Sequence, residues 1–361
     1  MRSILGNSYN KKRGSVMARR GSGIWLMIIA LAASALFVSA AAGDVDGKKV
    51  AIAKKNINLL KDKKYEHDAT VMLVMLKDNS VPLLAEVAKD PAEKVSQRIT
   101  VIDILGDIKS PAATDAILVS LKDSNVKIRR ASARALGKIA DAKAIAGLKE
   151  ALTDFDNEVR FLATRSLASI KDPSLVDTFI KLLDDPDARI RTFAVIGLSD
   201  IKDERAVQRL SALIGDPVDE VRMNAAIAFG KIKSKAAIPA LNSMLEDRSI
   251  DVRREALNAL GEIGDPSSVA YLISIAERDQ KDLRCAAVIA LGNIGTPDVV
   301  PVLKKLLKDE VMDVRIAAIK ALAKIGNSEF AGDFQPLLTD ESTKVRKEAS
   351  IALGEVKGSI K

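Results

Sequence analysis

Residues 123–154 read DSNVKIRRASARALGKIADAKAIAGLKEALTD, and the chain restates this stretch from about residue 90 to its end. Its marker is an arginine: Arg129 here, and Arg98, Arg160, Arg191, Arg222, Arg253, Arg284, Arg315 and Arg346 elsewhere, each 31 residues from the last. Seven positions after it stand Leu105, Leu136, Leu167, Leu198, Phe229, Leu260, Leu291, Leu322 and Leu353. Ten positions after it a column runs from Ile108 through Ile139, Ile170 and Ile201 to Ile325, with Val356 closing it. Three columns in lockstep, without insertion or deletion, point to stacked units that each pack on their neighbour in the same way.

Within a unit the spacing is helical. Around Arg253 the apolar residues Val252, Ala256, Ala259, Leu260 and Ile263 fall on one face of a 3.6-residue period. A second helix follows, with Val269, Leu272, Ile275 and Ala276 on its buried stripe and Gly264-Asp265-Pro266 as the stop and turn between them. Two helices of about a dozen residues and two tight turns fill the period. The fold class predicted is all-α, an α-solenoid (superhelix) of two-helix repeats. A core drawn from 48% hydrophobic but only 3% aromatic residues suits close packing of aliphatic helices.

Aspartate stands six residues before the marker at Asp123, Asp154, Asp185, Asp216, Asp247, Asp309 and Asp340. Asp185-Pro186 and Asp216-Pro217 read as an N-cap followed by proline at the first helical position, with the carboxylate at the positive end of the helix dipole. Eight residues after the marker stand Gly106, Gly137, Gly230, Gly261, Gly292 and Gly354, with Ala168, Ser199 and Ala323 replacing glycine elsewhere. Small size, rather than a left-handed backbone, is what that position asks for.

These columns resemble HEAT-like repeats of the short type found in phycobilisome lyases. The resemblance covers residues 90–356 and implies adjacent repeats tied by an aspartate–arginine ladder, here the aspartates just named with Arg129, Arg160, Arg191, Arg222, Arg253, Arg315 and Arg346. Residues 43–89 are less regular, with helices expected over 50–60, 69–76 and 81–87, and read as a degenerate N-terminal repeat that caps the array at residues 90–361. Lys344, Lys347, Glu348 and Lys357 give the last helix a wet side.

The N-terminus reads as an export signal. Residues 24–38, IWLMIIALAASALFV, follow Arg19-Arg20 and precede Ser39-Ala40-Ala41-Ala42, whose small residues offer cleavage sites. Residues 1–42 are therefore a signal peptide, with Met17 a candidate true start, and the mature chain is periplasmic or secreted. The alternative is an uncleaved membrane anchor over residues 24–43. This leader explains the charge. It holds six of the 56 basic residues and no acid, leaving 50 basic against 48 acidic residues, a net of +2 in place of +8. A near-neutral body with no Trp and only Tyr65 and Tyr271 beyond residue 42 is poorly suited to nucleic acid.

No constellation for catalysis appears. His67 is the only histidine and Cys285 the only cysteine. His-Ser and His-Cys pairs, His-rich metal sites and an intramolecular disulfide are thereby excluded. Deoxyhypusine hydroxylase, a di-iron enzyme of HEAT-like architecture, needs several His-Glu pairs, and this chain has Glu66-His67 once, in reverse order. No cofactor is called for, and no Gly-rich phosphate loop occurs. The carboxylates and arginines recur once per unit, as a structural device does and a catalytic site does not.

The function expected is a non-catalytic scaffold that binds a protein or peptide partner in a groove lined by the second helices. Its rivals are a lyase- or isomerase-like enzyme acting on a partner-bound group and a purely structural envelope protein. On the second helices Ala270, Ser274 and Glu277, then Pro239, Ser243 and Glu246, then Pro301, Lys305 and Lys308 should face outward. Lys304, Lys305 and Lys308 form the candidate partner-binding patch, suited to an acidic segment.

Overall fold

The computed structural model describes residues 45–358, all helix, turn and loop, with no strand among them. The expected signal segment, residues 1–42, and the alternative anchor lie outside the described residues. Two compact units divide between Ala112 and Ala113.

The first unit contains α1 (Val45–Leu59), α2 (Glu66–Met75), α3 (Val81–Lys89) and α4 (Val95–Ile108). Leu73, Leu84, Ile102, Ile104 and Leu105 form its core. His67 sits exposed in the first turn of α2.

The second unit runs through α5 (Thr114–Ser120), α6 (Val126–Ile139), α7 (Ile145–Ala151), α8 (Asn157–Ile170), α9 (Val176–Leu182), α10 (Ala188–Ile201), α11 (Ala206–Ser211) and α12 (Asp219–Ile232). It continues with α13 (Ile238–Met244), α14 (Ile250–Ile263), α15 (Val269–Arg278), α16 (Lys281–Ile294), α17 (Val300–Leu306), α18 (Met312–Ile325), α19 (Ala331–Phe334) and α20 (Thr343–Gly358). Each marker arginine lies in a 14-residue first helix from α6 to α18. The second helices are shorter than the dozen residues expected. α7, α9, α13 and α17 have seven residues, each led in by a three-residue 3₁₀ turn. The 3₁₀ turn rises further per residue, so the return leg spans its repeat with fewer residues.

A common stop ends the first helices. Eleven residues after each marker from Arg129 to Arg315 the backbone turns left-handed, at Ala140, Lys171, Lys202, Lys233, Gly264, Gly295 and Gly326. At Ala140 the N–H returns to the Leu136 carbonyl at 2.8 Å, which satisfies a helix-end acceptor. The next residue then opens the 3₁₀ turn. Asp141, Asp172 and Asp265 each accept from the N–H two residues on, as the Gly264-Asp265-Pro266 turn requires.

About half the residues of each first helix are buried. In α8 these residues are Val159, Leu162, Ala163, Thr164, Ser166, Leu167 and Ala168. Each fully buried leucine of the Leu167 column contributes about 2 kcal/mol relative to exposure. The glycine column sets how closely the helices approach. A Cβ on Gly261 would stand 2.7 Å from the Ala290 Cα, and one on Gly292 would stand 2.5 Å from the Ala321 Cβ. The position demands smallness because the next first helix presses its backbone there. Neighbouring second helices make only sparse contact with one another.

Candidate functional site

Every marker arginine from Arg129 to Arg346, apart from Arg253 and Arg284, turns Nη1 onto the backbone of its own repeat. Arg129 donates to the Asp123 carbonyl at 3.0 Å, Arg191 to Asp185 at 2.8 Å and Arg222 to Asp216 at 2.7 Å. The other side of the fork crosses to the following repeat. Arg129 holds Asp154, Arg191 holds Asp216 and Arg222 holds Asp247, each by two bonds of 2.7 and 2.9 Å. Arg284 reaches Asp309 at 3.0 Å and Arg315 reaches Asp340 at 2.8 Å, each by Nη2, leaving both Nε groups buried without an acceptor.

These aspartates are not N-caps, contrary to the sequence reading of Asp185-Pro186 and Asp216-Pro217. The cap of α10 is Asp187, which accepts from the Arg189 N–H, and that of α12 is Val218, which offers no side-chain acceptor. Asp185 and Asp216 sit two residues earlier and accept from the N–H of Asp187 and Val218 at 2.8 and 2.9 Å. Proline occupies the turn between, where its missing N–H costs nothing. The turn thus frees the Asp216 carboxylate to receive the guanidinium of the preceding repeat.

The ladder is not uniform. Arg160 donates to the Asp154 carbonyl at 2.9 Å and to the Asn157 side chain at 2.8 Å, staying within its own repeat rather than crossing to Asp185. At the next turn from Arg253 the expected aspartate position holds Arg278, and Arg253 stands 3.8 Å from Asp279 instead. Arg346 closes the series on the Asp340 carbonyl at 2.6 Å.

The charges answer to this geometry. The Arg129 hydrogen bonds hold the Asp154 carboxyl below the usual carboxylate range. At Asp247 burial pulls upward, but the bonds from Arg222 and the Ser249 N–H outweigh it, and that carboxyl too is lowered. Two neighbours missed in the sequence reading do similar work. Asp156 is lowered to about 2 by Arg130, and Asp187 to about 2 by Arg189.

The lysines singled out on the second helices sit among acids. Lys304 lies 2.8 Å from Asp333 and over the Phe330 ring, and Lys305 lies 2.7 Å from Glu277. With exposed Lys308 they line a hollow shared by Glu277, Asp309 and Asp333. Three cations thus face three carboxylates, a balanced surface rather than a basic one. Glu277 and Asp333 come from neighbouring repeats, so they were not visible on the helix that carries the lysines, whereas Asp309 directly follows Lys308.

The outward stripe of the first helices has another character. Five residues after the marker stand Ile196, Ile227, Ile289 and Ile351, the first two half-buried and the last two 50% and 45% exposed. In the repeat of α8, Phe161 meets Phe193 edge-on at 5.6 Å and lies under the Arg189 guanidinium at 4.4 Å. Cys285, on the same stripe, is half-buried and its thiol is pushed up by burial. Among the described residues no group of His, Cys, Asp and Glu is arranged to hold a metal ion.

The HEAT repeat family profile matches residues 80–161, 145–228, 209–284 and 270–354. No curated protein sequence matches the chain. Among solved structures, an engineered protein aligns with 85% of this chain and 99% of its own at 22% identity and a TM-score of 0.51. The Escherichia coli protein YibA aligns with 72% of this chain and 96% of its own, at 22% identity and a TM-score of 0.52. Human deoxyhypusine hydroxylase aligns with 70% and 97%, at 22% identity and a TM-score of 0.33. At such identity the first two likenesses speak to fold alone.

Proposed function

The chain belongs to the HEAT-repeat family, and from that premise we propose that it is a non-catalytic scaffold binding a protein or peptide partner along its first helices. One observation carries this reading: the isoleucines at the same outward position in four repeats, Ile196, Ile227, Ile289 and Ile351. Asn258 and Lys320 hold the same position in the repeats between, so the isoleucines offer spaced apolar contacts among polar ones, as suits a partner's side chains. The packing supports the same face. First helices press closely on one another at Gly261 and Gly292, while second helices meet mainly through side-chain ion pairs such as Lys305 with Glu277. The first-helix stripe, rather than the expected second-helix face, is therefore the better candidate for the partner surface. The lysine hollow at Lys304, Lys305 and Lys308 is the weaker candidate because Lys304 and Lys305 already have carboxylate partners.

Residues 1–42 support a place of action outside the cytoplasm. Mapping the N-terminal peptide of the exported protein tests that: a mature start between residues 41 and 43 is expected, and an intact segment 24–42 means a membrane anchor. The binding reading is tested by affinity capture with three baits: the native chain, Ile196→Glu/Ile227→Glu/Ile289→Glu, and Lys304→Glu/Lys305→Glu/Lys308→Glu. The isoleucine variant should lose the partner while keeping its helical content, and the lysine variant should retain it. The reverse result moves the site to the second helices. A pigment or prosthetic group travelling with the native chain would favour the enzyme reading.

A further inference from the structure

Arginines on the outward face of the first helices are held by acids. Arg130 holds Asp156 at 2.8 Å, Arg189 holds Asp187 and Glu158 at 2.8 and 2.9 Å, and Arg254 pairs with Asp251. Arg165 is the exception. It stands five residues after the marker of α8, half-buried, and makes no ion pair among the described residues. The carboxylate that acts on it, Glu158, does so from a distance and is already bound to Arg189. Arg134 holds the same position in the preceding repeat. Burial first, and the charge of Arg134 second, push the Arg165 guanidinium below its ordinary value. A partly desolvated cation beside another cation is left short of an anion.

The rings beside Arg165 set its direction. Phe161, one turn earlier in α8, has its ring centroid 5.7 Å from the Arg165 guanidinium and 4.4 Å from that of Arg189. Phe193 of the next first helix braces the same ring edge-on at 5.6 Å. A guanidinium held against a ring keeps its N–H edge for a planar acceptor. The next two repeats place Ile196 and Ile227 at the position of Arg165, both half-buried. The stripe thus offers a cation that lacks its anion, followed by two aliphatic contacts.

We propose that Arg165 is the charged anchor of the partner surface, receiving an aspartate or glutamate side chain of a protein partner whose apolar side chains lie on Ile196 and Ile227. This rests on the partner-binding reading of the first-helix stripe. A carboxylate accepts two N–H bonds from one guanidinium, which fixes the partner's register on a surface whose repeats are otherwise alike. A single negative charge suits the place better than a phosphate, because Glu158 is near enough to act on the same guanidinium.

A phage-displayed library of random twelve-residue peptides, selected on the full-length chain, supplies the probe. Peptides taken by the native chain should be enriched in an acid close to aliphatic or aromatic residues. Selection on Arg165→Gln should lose the acid and keep the apolar residues. Selection on Ile196→Asn/Ile227→Asn should lose the apolar residues, and Asn258 already stands at that position in the native array. One enriched peptide is then compared with its acid-to-amide twin. The amide should bind the native chain at least about tenfold more weakly, and Arg165→Gln should not distinguish the two. If Arg165→Gln unfolds, Arg165→Lys takes its place, with the charge kept, the fork lost and the acid preference reduced. Apolar enrichment without acids, sensitive to the isoleucines, leaves the stripe standing and overturns the anchor. So does an acid preference that survives Arg165→Gln, or tighter binding of a phosphoserine twin. Enrichment that is absent, or indifferent to both arginine and isoleucines, removes the stripe and the anchor together.

Discussion

Arg222 is 3% exposed, and its guanidinium joins the Asp216 carbonyl in one repeat to the Asp247 carboxylate in the next. Removing it strands a mostly buried carboxylate, a loss on the order of 3 kcal/mol. We expect Arg222→Ala to lower the urea midpoint accordingly, and Arg222→Ala/Asp247→Asn to recover part of the loss. Arg160→Ala is the contrast. Its bonds stay within one repeat, so its cost should be about 1 kcal/mol. Equal losses at both positions would remove the inter-repeat bridge as the source. The arginine column was fully legible in the sequence. Which arginine bridges was not, because Asn157 captures Arg160 through a rotamer choice that a column cannot display.

The same carboxylates make the array acid-sensitive. Asp154, Asp156 and Asp187 have folded values depressed from an ordinary 3.8, the last two to about 2. A depressed value stabilises the fold above the unfolded value, and that contribution disappears as the pH falls through the folded one. Melting temperature should therefore stay level above about pH 5 and decline between about pH 4 and pH 2. A decline centred near pH 6 would point to groups other than these aspartates.

At the scale of the helix, the left-handed stop is the feature the sequence half concealed. Gly264, Gly295 and Gly326 occupy it without cost, but Ala140, Lys171, Lys202 and Lys233 take the same turn with a side chain. A Cβ in that conformation costs about 1 kcal/mol. Ala140→Gly should therefore raise stability by about 1 kcal/mol, less any loss to the freer unfolded chain. Gly264→Ala should lower it by a similar amount, since the added methyl meets nothing within 4 Å and only the backbone suffers. Denaturant unfolding of both variants checks this, and a stabilised Gly264→Ala would contradict it. Helix existence was readable because apolar residues recur at helical spacing. The cap was misplaced by two residues because an aspartate that starts an Asx turn and one that caps a helix look alike before the chain is folded.

For the array in residues 113–358, the unit of design is 31 residues, and each repeat meets chiefly its neighbours. Stability in such a stack is close to a sum of repeat and interface contributions. Residues 45–89 of the first unit have no column to read, so their packing could not be found without coordinates. The regular part permits a direct test. Excising residues 188–218 removes one full period and joins Asp187 to Asp219, so that α8 meets α12 in place of α10. The glycine, leucine and isoleucine columns all stay in register. The shortened chain should keep its helical content per residue by circular dichroism and melt cooperatively at a somewhat lower temperature. Excising residues 188–202 removes a first helix alone and leaves two second helices in succession, with Ala168 of α8, at the glycine-column position that meets the next first helix, uncovered. That chain should lose cooperative melting in the repeats on either side. If the two deletions behaved alike, the period would be a pattern of composition rather than the mechanical unit of the array.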